Sequence, residues 1–136
     1  MKKKKKIWII AASLVLLIGI VWGATYLIQV RNYQNKVANL VTADLPFTGL
    51  KDGVYDGECD VQFIDAKVRV TVKEGRVAEI QILKHKNGHG APAEAILGEI
   101  VQRQTLEVDA VSGATNSSRV LKKAVENALI QAEPQK

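Results

Sequence analysis

Residues 109–118 read Asp-Ala-Val-Ser-Gly-Ala-Thr-Asn-Ser-Ser and join two segments that have the hydrophobic spacing of helices. In the first, residues 92–105, apolar side chains recur at Ile96, Ile100 and Val101 with polar residues between them. The second repeats this spacing at Leu121, Ala124, Val125, Ala128 and Leu129. The small, hydroxyl-rich residues between the two are typical of a helix N-cap. A helix that begins here presents free N–H groups and a positive dipole end, which suits a phosphate.

The segment before these helices has the alternation of β-strands. A first set of residues at alternate positions favours a strand with one buried face: Tyr55, Gly57, Cys59, Val61 and Phe63. After residues 64–65 the parity changes, which indicates a turn or a bulge. The second set is Ala66, Val68, Val70 and Val72. Strands followed by two helices predict an α+β domain, a small antiparallel sheet packed with two helices.

The hairpin that follows can close in two ways. A two-residue loop would pair Val70 with Glu79 and mix core with polar positions. A three-residue loop at residues 73–75 pairs Val70 with Ala78 and gathers the apolar residues on one face. It also puts Gly75 where a loop of this kind needs a positive φ. We therefore expect the three-residue loop.

The N-terminal part of the chain has the composition of a membrane anchor. Residues 2–6 are five lysines, and residues 7–30 form a run of 24 residues without a charge. As a helix this run would measure about 36 Å at ~1.5 Å per residue, enough for a hydrocarbon core of about 30 Å. A cleavable signal peptide is the alternative, but its apolar core is usually shorter. The lysines predict a cytoplasmic tail, which places the rest of the chain on the extracytoplasmic side of the cell membrane as a single-pass protein.

The charge and the cysteine content exclude some classes of protein. Beyond the lysine tail, 14 basic residues balance 14 acidic ones, so the pI near 9.4 belongs to the tail. A nucleic-acid-binding protein would concentrate basic residues on a folded face, and we expect no nucleic acid partner. The single cysteine, Cys59, cannot form an internal disulfide, and we expect a half-buried thiol on a strand.

The motif Asp109-x-x-Ser112-Gly113-Ala114-Thr115 resembles the flavinylation motif of the FMN-binding domain family, which includes the C subunit of sodium-pumping NADH:quinone reductase and the G subunit of the Rnf complex. In that family, a flavin transferase moves FMN from FAD onto the final Thr through a phosphoester bond. The resemblance implies that Thr115 is the acceptor, that Ser112, Gly113 and Ala114 form the turn presenting it, and that Asp109 is the acidic position. A second Gly-Ala-Thr, at residues 23–25, lies in the apolar run and lacks the rest of the motif.

The family usually has a His followed by an acidic and a hydroxyl residue that contact the flavin. Here His85 is followed by Lys86 and Asn87, in a polar stretch at residues 84–90 that we predict to be a loop. The resemblance implies that His85 and Gly88 lie at the FMN site, and a solvated loop is the alternative. His85 and His89 suggest a metal, but no third ligand is evident, so we expect none.

The resemblance begins near Asp52, and the predicted organisation has four parts. A basic tail occupies residues 1–6, a transmembrane anchor 7–30, a juxtamembrane linker 31–51 and the FMN-binding domain 52–132. Residues 31–41 can continue a helix for a few turns before residues 45–49 end it.

The resemblance implies a membrane-anchored flavoprotein that carries FMN on Thr115 and acts in electron transfer rather than as a stand-alone enzyme. Its expected partners are a flavin transferase, the membrane, and membrane or surface redox proteins or a quinone. Two alternatives stay open. One is a module that binds FMN noncovalently as an accessory or sensor. The other is a redox-inert anchored interaction protein in which residues 112–118 are only a helix cap.

Overall fold

The computed structural model describes residues 1–43, 45, 47–86, 88 and 90–134. The chain divides into two compact units, Met1–Asn35 and Lys36–Lys136. The first unit lies within a single helix, α1, which spans Lys2–Ala38 and contains the predicted apolar run. With a mean hydropathy of 2.5 over its most apolar window, α1 is long and apolar enough to cross a membrane.

The second unit has the α+β architecture expected from the sequence. Its strands β1 (Gly53–Asp60), β2 (Asp65–Lys73) and β3 (Arg76–Lys86) form an antiparallel sheet in the order β1-β2-β3. A 3₁₀ helix, Ala91–Glu94, leads into α2 (Ala95–Arg103), and α3 (Thr115–Ala132) follows. The predicted segment 92–105 is thus a 3₁₀ helix joined to an α-helix, which ends where Gln104 adopts a left-handed φ of +54°.

The core lies between one face of the sheet and the two C-terminal helices. The alternating residues of β2 that the sequence placed in the core are buried, each at most 2% exposed: Ala66, Val68, Val70 and Val72. The helical residues with the predicted spacing are fully buried against them: Leu121, Ala124, Val125, Ala128 and Leu129. Residues from the predicted linker also contribute, because Val37, Phe47 and Leu50 are buried in the second unit.

The hairpin between β2 and β3 corrects the predicted register. Lys73 pairs with Arg76, so the loop has two residues, Glu74 and Gly75, and not three. Both have positive φ, +55° and +73°, as a type I′ turn requires. The prediction of a three-residue loop was wrong because it assumed unbroken alternation along β3, whereas a bulge in β3 keeps the apolar residues on one face with a two-residue loop.

The bulge lies in β3, where Ala78 has no partner in β2. Val72 pairs with Val77, but the next residue of β2, Thr71, pairs with Glu79. The extra residue shifts the alternation of β3 by one, so that Val70 faces Ile80. A two-residue turn and a buried apolar face are therefore compatible.

Helix α3 runs antiparallel to β1 and is joined to its backbone by side-chain amides. Asn127 Nδ2 donates to the carbonyl of Glu58 and Gln131 Nε2 donates to that of Asp56, both at 2.8 Å. The residue with the higher number in α3, Gln131, thus bonds to the residue with the lower number in β1, Asp56, as antiparallel elements require. The N-terminus of α3 therefore projects toward the end of the domain where β1 ends, β2 begins and β3 ends.

Helix α3 lies very close to the sheet at Gly57 in β1. A Cβ atom built on Gly57 would lie 2.0 Å from the carbonyl oxygen of Ala124 and 2.5 Å from the amide nitrogen of Ala128. Both are backbone atoms of α3 and cannot rotate away. Only glycine allows the helix backbone to lie this close to the strand.

We expect Gly57→Ala to lower the free energy of unfolding by about 3 kcal/mol or more, the upper part of the range for overpacked cores. Thermal unfolding of the full-length chain in detergent measures the effect. Gly98→Ala in α2 is the matched control, because a Cβ there meets no atom within 4 Å. Alanine at that helical position should be neutral or stabilising. Equal midpoints for the two variants would contradict the close contact.

The hairpin loop is also held by Asp52. Its carboxylate accepts hydrogen bonds from the amide of Gly75 at 2.9 Å and from that of Glu74 at 3.0 Å. These two bonds favour the ionised form and lower the pKa of Asp52 below its ordinary value. Because the folded-state pKa is below the unfolded one, the stabilisation is present at neutral pH and is lost as the pH falls through the lowered pKa.

Asp52→Asn should therefore lower the thermal midpoint at pH 7, and the difference from the unmodified chain should shrink as the pH falls below about 4, the ordinary pKa of an aspartate. Midpoints of both proteins measured from pH 7 to pH 2 check this. A difference that stays constant over the whole range would mean that the charge of Asp52 does not stabilise the loop.

Candidate functional site

The turn that precedes α3 presents Thr115 at the surface. Gly113 has a φ of +80°, and the amide of Ala114 donates to the carbonyl of Val111 at 2.9 Å, which closes the turn. Thr115 is the first residue of α3 and is exposed, as are Ser112 and Gly113. Ala114 is buried and occupies the N-cap position. The predicted hydroxyl N-cap was therefore wrong, because the residue at that position has no side-chain acceptor.

Ser118 ties this turn together from inside the protein. Its hydroxyl donates to the carbonyl of Ala114 at 2.9 Å and accepts a hydrogen bond from the amide of Val111 at 3.1 Å. Ser118 is fully buried, so its bond to Ala114 is shielded from water, and the bond from Val111 is partly shielded. The turn is thus fixed at two backbone positions, and the exposed hydroxyl of Thr115 follows directly.

The start of α3 is a favourable place for a negatively charged group. The helix has 18 residues and no acidic residue in its first turn. The first N–H groups of a helix have no partner within the helix, and its N-terminus carries a partial positive charge. Asp109, the acidic residue of the motif, is exposed and lies in the segment before the turn. A phosphate group at Thr115 would meet the favourable end of the helix dipole.

His85 does not lie in a loop, in contrast to our expectation, because β3 continues to Lys86. A second bulge at Leu83 explains its environment. Val68 pairs with Ile82 but Lys67 pairs with Lys84, so Leu83 has no partner and the alternation shifts again. The Lys84 side chain therefore points outward at 62% exposure, whereas that of His85 is only 2% exposed.

The buried ring of His85 is held by Glu94 of the 3₁₀ helix. Nδ1 of the ring lies 2.8 Å from Oε1 of Glu94, whose side chain is 41% exposed. Gly88, in the turn that follows β3, is exposed and has a positive φ of +57°. The positions of both predicted residues are thus set by the end of β3 and by its connection to the 3₁₀ helix.

The two parts of the predicted site lie at the same end of the domain. Because α3 is antiparallel to β1, its first residue, Thr115, extends toward the end of the sheet where β3 ends near His85. The 3₁₀ helix that carries Glu94 packs against α3. The fold therefore brings the turn at residues 111–114 and the end of β3 to one side of the domain.

Two further candidates from the sequence are Cys59 and a metal site at the histidines. Cys59 is buried in β1, and burial raises the pKa of its thiol, which keeps it protonated and unreactive. In the part of the chain that the structure describes, no group of three His, Cys, Asp or Glu side chains could hold a metal ion. His89, considered with His85 as a metal ligand, lies outside the described residues.

Ser118 and Glu94 have roles that were not predicted from the sequence. Ser118 ends the motif stretch, and a serine four residues after an N-cap is a signal for a bond back to the cap carbonyl. No comparable signal points to Glu94, which is nine residues from His85 and meets it only through the fold.

The chain is similar to known proteins. Residues 64–130 match the family model of the FMN-binding domain. An uncharacterized protein of Treponema pallidum (strain Nichols) is 28% identical over 129 residues, which cover 91% of this chain but only 36% of that protein. The chain thus spans well under half of that relative's length. No solved structure matches the chain. The matched region contains the sheet from the start of β2, the 3₁₀ helix, the turn and most of α3, so residues 64–130 belong to the FMN-binding domain family and FMN is the cofactor of this domain.

Proposed function

We propose that this chain is a membrane-anchored extracytoplasmic flavoprotein that carries FMN on Thr115 through a phosphoester bond and acts in electron transfer. One observation carries the proposal. The last residue of the flavinylation-like motif is exposed at the first position of α3, after a turn fixed by the buried hydroxyl of Ser118.

The residues at the start of α3 fit the phosphate of FMN. The Thr115 side chain has no capping role to give up, since the N-cap is Ala114 and no side-chain bond caps the helix. The first-turn amides and the helix dipole stabilise the negative charge of a phosphodiester. Gly113 gives the turn its left-handed conformation, and Ser112 and Asp109 are exposed beside it, accessible to a modifying enzyme.

The attachment we propose is a transfer from FAD by a flavin transferase. The hydroxyl oxygen of Thr115 forms a bond to the phosphorus on the FMN side of the pyrophosphate. The bond from that phosphorus to the bridging oxygen breaks, AMP leaves and the hydroxyl proton is released. The exposure of Thr115 supports this, because an enzyme must reach its oxygen.

FMN supplies the redox chemistry of such a domain, since flavin accepts two electrons and can release them singly. The protein holds the cofactor and sets its surroundings. We propose that His85 and Gly88 belong to the FMN site together with Asp109, Ser112, Gly113, Ala114 and Thr115. The common end of the domain shared by β3 and α3 supports this grouping.

We further propose that α1 anchors the domain in the cell membrane with the lysine tail in the cytoplasm. The length and apolarity of α1 support a single pass, and the five lysines at its N-terminal end favour this orientation. The proposed parts are the tail at 1–6, the anchor at 7–30, a connecting segment at 31–51 and the FMN-binding domain at 52–132. Membrane or surface redox proteins, or a quinone, would exchange electrons with the flavin.

Thr115→Ala should abolish covalent flavin, because it removes the oxygen that forms the ester, and should leave the fold nearly intact, because Thr115 is exposed and makes no capping bond. In-gel flavin fluorescence, and mass spectrometry of the peptide containing Thr115, check this after coexpression with a flavin transferase and magnesium. Thr115→Ser keeps a hydroxyl and should retain some labelling, and Asp109→Ala should reduce it.

Thr25→Ala is the matched control, since Thr25 is in the second Gly-Ala-Thr and its hydroxyl donates to the Trp22 carbonyl within α1. Labelling of that variant should equal that of the unmodified chain. An unmodified Thr115 peptide from a protein that still binds FMN would favour the noncovalent module. A colourless protein would favour the redox-inert alternative.

The orientation can be tested with two single-cysteine positions. In intact cells, a membrane-impermeant maleimide should label Glu133→Cys, which is exposed after α3, and should label Lys3→Cys only after the cells are permeabilised. The natural Cys59 is buried and gives a low background. Labelling in the opposite order would contradict the orientation, and a soluble form lacking the first 25 or so residues would contradict the anchor.

A further inference from the structure

The His85–Glu94 pair takes no part in the proposed attachment to Thr115, and it joins the end of β3 to the 3₁₀ helix. A bulge at Leu83 turns His85 from the outer face of β3 into the interior, where its side chain is 2% exposed. The ring then meets a carboxylate from a different element, with 2.8 Å between Nδ1 and Oε1 of Glu94. Burying an imidazole costs free energy that a hydrogen bond must offset.

The chemistry of this bond fixes the tautomer of the ring. An ionised carboxylate accepts hydrogen bonds and cannot donate one. The proton between Glu94 and His85 therefore resides on Nδ1. In the neutral ring this leaves Nε2 without a proton, so that Nε2 acts as a hydrogen-bond acceptor. Nε2 is also buried, so its electrostatic effect is exerted in a region of low dielectric constant.

The pair lies at the end of the domain that carries Thr115. His85 is close to the end of β3, and the 3₁₀ helix that carries Glu94 packs against α3. A flavin attached at the first residue of α3 would lie on this side of the domain. The orientation of the His85 ring would then affect the electrostatic potential at the flavin.

We propose that Glu94 is a positioning residue of the FMN site. It acts through His85, holds the proton on Nδ1, keeps Nε2 as an acceptor and thereby keeps the midpoint potential of the flavin low. A hydrogen-bond donor, or the loss of a nearby negative charge, would stabilise the more electron-rich reduced flavin. This inference rests on the proposed function, because it requires FMN at the start of α3.

Glu94→Gln tests the proposal, since the amide has the same shape but can donate as well as accept. It permits the tautomer with the proton on Nε2 and removes a negative charge, and both changes favour reduced flavin. The matched control is Glu99→Gln. Glu99 is 43% exposed, similar to Glu94, but among the described residues its ion pair is with Arg103 along the surface of α2.

The first readout is the tautomer of His85 in the flavin-free full-length chain in detergent, from ring ¹⁵N chemical shifts at a pH where the ring is neutral. His89→Gln in each background assigns the signals, because the chain has two histidines. We expect a proton on Nδ1 in the unmodified chain and in Glu99→Gln, and a shift toward Nε2–H in Glu94→Gln. A tautomer that is the same in all three would overturn the proposal.

The second readout is the midpoint potential of the flavin-loaded protein, which should rise in Glu94→Gln and stay unchanged in Glu99→Gln. A changed tautomer with an unchanged potential would overturn the role at the flavin and leave only a structural hydrogen bond. If the unmodified chain takes up no flavin, the proposed function itself fails and this inference fails with it. The tautomer measurement separates the two cases because it needs no flavin.

Discussion

The structure depends on the contact between Gly57 of β1 and the backbone of α3 at Ala124 and Ala128. No side chain separates the strand from the helix there, and a single Cβ would collide with two backbone atoms. The contact fixes the height of α3 above the sheet, and the amides of Asn127 and Gln131 fix its direction along the outer edge of β1. Since α3 is rigid, its first residue is positioned by contacts made three turns away.

The residues that stabilise the domain are different from the residues that are exposed at the turn before α3. The buried half of α3 and the apolar face of β2 supply the core, whereas Thr115, Ser112 and Gly113 remain at the surface. Ser118 connects the two, because it is buried with the core and bonded to both ends of the turn. An exposed hydroxyl after an internally fixed turn suits the modification that we propose for Thr115, because a second protein can reach it without unfolding the domain.

Two bulges decide which side chains of β3 face the core. The bulge at Ala78 restores the core alternation after a two-residue turn, and the bulge at Leu83 exchanges Lys84 for His85 on the buried side. Each adds one residue and reverses which side chains face the core. The second one allows an ionisable ring to enter the interior of an 11-residue strand that is otherwise partly exposed.

The sequence by itself determined the features that depend on local periodicity and composition. These are the apolar helix at the N-terminus, the buried side chains of β2, the helical segment that forms α3, and the motif that ends at Thr115. These features could be predicted because hydrophobic spacing and short motifs involve residues that are close together in the sequence. Only the tertiary structure decided the hairpin register, the burial of His85, its bond to Glu94 and the packing of Phe47 and Leu50 from the predicted linker. A bulge leaves no periodic signal, and a contact between distant residues exists only once the helix lies on the sheet. These features could not be predicted because packing and hydrogen bonds between elements that are distant in the sequence stabilise them.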